Sequence, residues 1–278
     1  VPKSIVRIGQ IVPSSNTTME TEIPAILRAR ELAGIGDEAF TFHSSRMRMK
    51  KVTKAELAAM DRDSLRWAAE LADAPVDVVG YACLVAIMSM GVGYHRTSET
   101  QLEAILRREG CDVSVVTSAG ALVEELKRAG VRSVSIITPY LRPLTDLVVG
   151  YIRAEGVAVV DSIALSIEDN VTVGKRDPLQ LLDDIGRLDI GGVDAVVLSA
   201  CVQMPSLDAV SRVEDKLGLP VTSASICTTR RMLGALGLAP LAPGAGYFMS
   251  EKNLAANSLG RAAAETVECE PGRRIAEA

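Results

Sequence analysis

The chain has 278 residues, 48% of them apolar and only 3% aromatic, so it has length for one or two domains with a core of Val, Ile, Leu, Ala and Met. A formal charge of −5 argues against nucleic-acid binding, which calls for a basic face. No signal-peptide pattern stands at the start and no apolar run approaches about 18 residues, so neither secretion nor membrane spanning is expected.

In chain order, residues 4–12 form a first strand, ended by Pro13-Ser14-Ser15-Asn16. Ser14, Ser15 and Asn16 are candidate N-caps for a helix over 17–31, which carries Glu20 and Glu22 near its positive end. A short strand at 40–43 follows, then a long helix over 54–72 with Leu57, Met60, Leu65, Ala68 and Leu71 on one face. The third strand runs into Cys83; a helix over 98–109, a strand over 112–117 and a helix over 119–129 follow, the last stopped at Gly130. The second half repeats this order. It has a strand at 133–140, a helix over 141–154, a strand over 157–166, a loop with Asp169 and Asn170, and a helix over 178–188 with Pro near its first turn. A strand ending at Cys201, a helix over 206–217, a strand at 220–222 and a helix over 227–236 complete it. Residues 251–278 are polar with little periodicity, so partial helix or disorder is expected there.

Strands alternating with helices predict an α/β fold with parallel sheets and right-handed crossovers. The repeat predicts two flavodoxin-like halves of about four strands each: residues 1–117 with 223–278, and residues 118–222. Thr117-Ser118-Ala119 and Thr222-Ser223-Ala224 close the two repeats with the same turn.

The two cysteine strands share one design. Val76-Asp77-Val78-Val79-Gly80-Tyr81-Ala82-Cys83 and Asp194-Ala195-Val196-Val197-Leu198-Ser199-Ala200-Cys201 are apolar, β-branched and end on small residues before a thiol. Ligands of open parallel sheets sit beyond the carboxyl ends of the strands. Two thiols at matched strand ends would therefore flank one cleft, and a helix N-terminus or nearby cation lowers a thiol's pKa. Cys111, Cys227 and Cys269 have no such placement and read as small hydrophobes. The odd count of five cysteines, without C-x-x-C, fits free thiols in a reducing cytoplasm. The two histidines, His43 and His95, fit no Cys-His pattern, and a structural zinc site is not expected. Gly91-Val92-Gly93 lacks the third glycine of a dinucleotide fingerprint and is not read as opening a helix, which disfavours a nicotinamide cofactor. By spacing alone Asn16 and Asn170 are ordinary turn residues, Tyr140 an ordinary boundary tyrosine, and Arg46, Arg48 and Arg142 solvated surface.

Taken together, Pro13-Ser14-Ser15-Asn16 with Glu20-Thr21-Glu22, His43-Ser44-Ser45-Arg46-Met47-Arg48-Met49, Tyr81-Ala82-Cys83-Leu84-Val85-Ala86, Thr138-Pro139-Tyr140 and Ser199-Ala200-Cys201-Val202-Gln203-Met204-Pro205-Ser206 resemble the maleate cis–trans isomerases of the aspartate/glutamate racemase superfamily. The resemblance spans about residues 4–246. It implies a homodimer with no cofactor, two halves about a pseudo-twofold axis, and maleate as substrate. It also implies Cys83 and Cys201 as catalytic residues. Asn16, Tyr140 and Asn170, with backbone N–H groups of Leu84, Val85 and Val202, would hold the substrate carboxylates. The expected reaction is thiolate addition to the C=C bond, rotation and elimination. Two thiols also suit a cofactor-independent amino-acid racemase of the aspartate/glutamate type. A decarboxylase relative needs only one thiol, and a non-catalytic diacid-binding module needs none.

Overall fold

The computed structural model describes residues 4–49 and 54–256. The first half begins with β1 (Ser4–Pro13), α1 (Met19–Leu32), β2 (Glu38–Met47) and α2 (Lys54–Ala72). It continues with β3 (Val78–Tyr81), α3 (Leu84–Ser89), α4 (Tyr94–Arg108) and β4 (Val115–Thr117), after which α5 (Ser118–Arg128) leads on to the second. The second contains β5 (Ser133–Thr138), α6 (Arg142–Ala154), β6 (Ala158–Ala164), α7 (Asn170–Gly174) and α8 (Leu181–Asp184). After these come β7 (Ala195–Ser199), α9 (Leu207–Leu217), β8 (Val221–Ser223) and α10 (Ala224–Ala235).

The strands form two four-stranded parallel sheets with one topology, β2-β1-β3-β4 and β6-β5-β7-β8. Helices flank both, the α/β architecture read from the sequence. The central strands β3 and β7 are buried at every position, which is why they read as unbroken apolar runs rather than alternating ones. In each sheet the chain leaves the first central strand toward one edge and the second toward the other. That reversal opens a crevice at the carboxyl ends of the central pair. In the first sheet the pair is β1 and β3, whose ends lead to Asn16 and Cys83; in the second it is β5 and β7, leading to Tyr140 and Cys201. Beyond β8 the chain returns to the first sheet, where α10 packs on α1, α5, β3 and β4.

Several elements differ from their sequence reading. The strand expected at 40–43 is ten residues long, because β2 pairs with β1 along its whole length from Ser4↔Glu38 to Pro13↔Met47. As an edge strand it tolerates the polar His43-Ser44-Ser45-Arg46 run that hid it. The helix expected from Ser98 starts at Tyr94: Gly93, at φ 75°, is its cap, so Gly91-Val92-Gly93 does open a helix although it lacks the third fingerprint glycine. Strand 112–117 shortens to β4, and 157–166 to β6. The run 178–188 is not one helix but α8 between two 3-10 turns, Pro178–Gln180 and Ile185–Arg187. Asp177 caps the first turn, and Gly186, a poor helix former, lies in the second and weakens a continuous α-helix. Helix 227–236 begins earlier, at Ala224, with Ser223 accepting from the Ile226 N–H at 3.3 Å. Of the polar terminal stretch, residues 251–256 are helical, and 257–278, with Cys269, lie outside the described residues.

Candidate active site

Cys83 follows β3 by two residues and caps α3, a helix absent from the sequence reading. Its backbone sits at φ 117°, ψ 78°, a left-handed conformation that costs a non-glycine residue on the order of 1–3 kcal/mol. Such strain concentrates at functional sites. Cys201 stands at the matching place after β7. Both cysteines are buried, and both line one narrow cavity of about 20 Å³. Asn16, Leu84, Val85, Tyr140, Asn170 and Val202 line it too, so all eight residues singled out from the sequence meet there. Pro13, Met49 and Gln203 complete the wall; the sequence reading gave them no place in the site.

Each polar group is held by a specific partner. The helix α1 starts at Met19, with Thr18 rather than Asn16 as its N-cap, yet the Asn16 Oδ1 accepts the Met19 N–H at 3.0 Å, and its amide N–H groups remain for the cavity. The Asn170 amide donates to Ser15 Oγ at 2.7 Å, and Asp169, capping α7, turns what reads as a loop into a short helix that begins at Asn170. The Tyr140 hydroxyl lies near enough to the Cys201 sulfur to hold that thiol's pKa down while its own is raised. Arg46 is not solvated surface: it pairs with Glu20 and donates to the Ser14 and Asn16 carbonyls, at 2.9 and 2.7 Å, bracing the turn that carries Asn16. Glu22 does not serve its own helix. Its carboxylate is buried and accepts the Ser206 and Leu207 N–H groups at the start of α9 and the Ser225 hydroxyl, joining α1 to the second half. Arg142 stays at the surface with Asp146 and Ser162, and Arg48 is exposed. His43 bonds Thr41, and buried His95 contacts the Tyr151 hydroxyl at 2.5 Å; neither lines the cavity.

The electrostatics differ from a thiol poised as thiolate. Burial pushes Cys83 up to about 12; the Ala86 N–H opposes this, and the neighbouring Cys201 adds to it. Burial also raises Cys201, against the Tyr140 hydroxyl and the N–H groups of Gln203 and Met204. Tyr140 is raised well above its ordinary value by burial and by both sulfurs. The two thiols and the phenol, all raised, are therefore protonated near neutral pH. No cluster of His, Cys, Asp and Glu able to hold a metal ion occurs among the described residues. Cys227 is buried against the Thr222 hydroxyl, and Cys111 is half-buried, both away from the cavity.

Paired parallel sheets with one thiol from each define a class of two-cysteine α/β enzymes. A family model described as arylmalonate decarboxylase matches residues 8–249. A maleate isomerase of Pseudomonas putida is 59% identical over 244 residues, 88% of this chain and 97% of that protein. The crystal structure of a cysteine-to-alanine variant of the maleate isomerase from Pseudomonas putida S16, with maleate, matches at TM-score 0.87 and 55% identity, covering 89% of this chain and 98% of that one. A cysteine-to-serine mutant of the Nocardia farcinica maleate cis–trans isomerase, carrying a covalently bound succinylcysteine intermediate, matches at TM-score 0.85 and 43% identity, covering 88% and 98%. The chain belongs to the maleate cis–trans isomerases, within the arylmalonate decarboxylase family. These relatives do not favour the racemase alternative.

Proposed function

We propose that this chain converts maleate to fumarate without a cofactor, by reversible covalent addition of Cys83. The observation that carries the reading is the meeting of two buried thiols, one from each sheet, with Asn16, Asn170 and Tyr140 around one small cavity. The double bond of maleate forbids rotation, so a catalyst must break the π bond and restore it. The Cys83 proton passes to a substrate carboxylate as its sulfur lone pair forms a C–S bond to one olefinic carbon, and it returns to the sulfur when that bond breaks. The π electrons move to the other carbon and into its carboxylate. The amide N–H groups of Asn16 and Asn170 and the backbone N–H groups of Leu84, Val85 and Val202 are the donors for the carboxylate oxygens, where negative charge builds.

Cys201 then protonates the second carbon, giving a saturated succinyl thioether. The Cys201 thiolate left behind is stabilised by the Tyr140 hydroxyl and the Gln203 N–H, which lies 3.4 Å from the sulfur. Rotation about the new single bond moves the two like charges apart, which favours the trans product. Cys201 takes a proton back, the C–S electrons return to sulfur, and fumarate leaves. The succinylcysteine in the Nocardia farcinica relative supports this course.

The family resemblance also supports a homodimer, and the free thiols fit a reducing cytoplasm. Among the described residues no helix is long and apolar enough to cross a membrane. Incubation with maleate, followed by proton NMR, tests the reading: the maleate vinylic signal should give way to that of fumarate. An unchanged maleate spectrum with folded protein would reject it.

A further inference from the structure

Gln203 stands two residues after Cys201 and is 3% exposed, yet its side chain works across the molecule. Its Oε1 accepts the Thr17 N–H at 3.0 Å. Its Nε2 donates to the Ser15 carbonyl at 3.0 Å and to the Asn170 carbonyl at 2.8 Å. The backbone joins in: its N–H faces the Cys201 sulfur, and its carbonyl accepts the Thr18 hydroxyl at 2.7 Å. Both donor directions of the amide and one acceptor direction of its oxygen are thus used, and a flipped amide would set its oxygen against two carbonyls. There is no room for slack, since a Cβ on Gly174 would come within 2.5 Å of Nε2.

These bonds join three segments that approach from different strand ends: the turn with Asn16 after β1, the segment with Asn170 after β6, and the turn with Cys201 after β7. We infer that Gln203 is a positioning residue, setting Asn16 and Asn170 at the separation that grips the two substrate carboxylates and keeping both in register with the Cys201 thiol. It acts through those residues and not by its own chemistry. This inference rests on the isomerase reading.

Gln203→Glu keeps size and shape but puts an oxygen where Nε2 donates. An ionised carboxylate there faces the Ser15 and Asn170 carbonyls with nothing to donate, while the protonated acid restores one bond. Cys201 and Tyr140, both raised by burial, stay protonated from pH 8 to pH 5.5. Glu22, also raised by burial, is present in both proteins, so the variant-to-wild-type ratio isolates residue 203. A displacement of catalytic groups of about 1 Å can cost roughly 10²-fold. We expect kcat/KM of Gln203→Glu to be lower than wild type by about that factor at pH 8, and the ratio to recover at least about tenfold by pH 5.5. Gln203→Leu should show the loss without the recovery. Affinity for maleate, measured in a Cys83→Ala background where no adduct forms, should follow the same pattern. A ratio flat with pH, or activity within a few-fold of wild type in both variants, would overturn the inference. Should wild type bind maleate but release no fumarate, the isomerase reading alone fails and the affinity series still tests Gln203. Failure to bind maleate at all would overturn both.

Discussion

At the scale of single residues, the two thiols are matched in position but not in task. Cys83 carries the strained backbone and the pKa of about 12, whereas Cys201 has the Tyr140 hydroxyl and two N–H groups ready to receive negative charge. In the proposed mechanism Cys83 is the residue that bonds carbon, and Cys201 the one that cycles a proton. Intact mass spectrometry with maleate should find no adduct on Cys83→Ala, while Cys201→Ala should lose turnover yet still form one. An adduct at Cys201 in the Cys83→Ala protein would reverse the assignment. Asn16 has a double role that a plain alanine change would blur, because its oxygen accepts the Met19 N–H at the start of α1 and losing such a bond costs about 1 kcal/mol. Asn16→Asp keeps the accepting oxygen and replaces the donor by an anion facing a substrate carboxylate. Turnover should fall by about 10²-fold or more, the scale of one lost oxyanion donor, with the melting temperature nearly unchanged. Retained turnover in Asn16→Asp would reduce Asn16 to a turn residue.

At the scale of elements, the halves are joined by helix ends as well as by the site. Glu155, at the end of α6, accepts from Arg96 of α4 and from Lys127 of α5. The Arg96 guanidinium holds the Glu155 carboxyl down at about 2, with Lys127 assisting against a smaller opposing effect of burial. A carboxylate lowered in the fold stabilises it above the ordinary carboxylate range, and that contribution disappears as the pH falls through the folded value. The melting-temperature difference between wild type and Glu155→Gln should thus be positive at pH 7 and shrink toward zero as the pH drops from about 4.5 to about 2. A difference that stays constant over that window would mean that the ion pair contributes nothing through Glu155's charge. Glu22 works in the opposite sense: burial raises its carboxyl, so its contribution is greatest at low pH and falls as the pH rises through its raised value.

At the scale of the whole molecule, two sheets of one topology each bring a thiol to one small cavity, and the chemistry follows from that meeting. In the proposed mechanism the proton that Cys201 delivers to the carbon is the one that it takes back after rotation. Fumarate formed in D₂O should therefore carry little deuterium. A two-thiol racemase would instead remove a Cα proton and wash solvent deuterium into its amino acid. We expect none in L- or D-aspartate or glutamate under the same conditions. Rapid deuteration of either at Cα, with no fumarate from maleate, would reject the isomerase reading and restore the racemase.

What the sequence determined by itself is what local pattern encodes. Apolar β-branched runs fixed the central strands β3 and β7, helical periodicity fixed α2 to its ends, and the repeated Val-Asp and Ala-Cys design placed the two thiols at equivalent strand ends. Asn16, Tyr140 and Asn170 were legible only through the family resemblance, since a turn asparagine and a substrate-binding asparagine look alike in one sequence. The tertiary structure alone decided the rest. The left-handed backbone at Cys83 depends on how α3 leaves the sheet, not on any glycine in the sequence. Glu22 reads as an ordinary first-turn acid until α9 presents its N–H groups from 184 residues away. Gln203 reads as a neighbour of Cys201 until the fold sets Ser15, Thr17 and Asn170 around its amide. The thiols' pKa values, too, belong to the fold, because the cost of burying a charge is set by the walls that close over it and not by the residues adjacent in the chain.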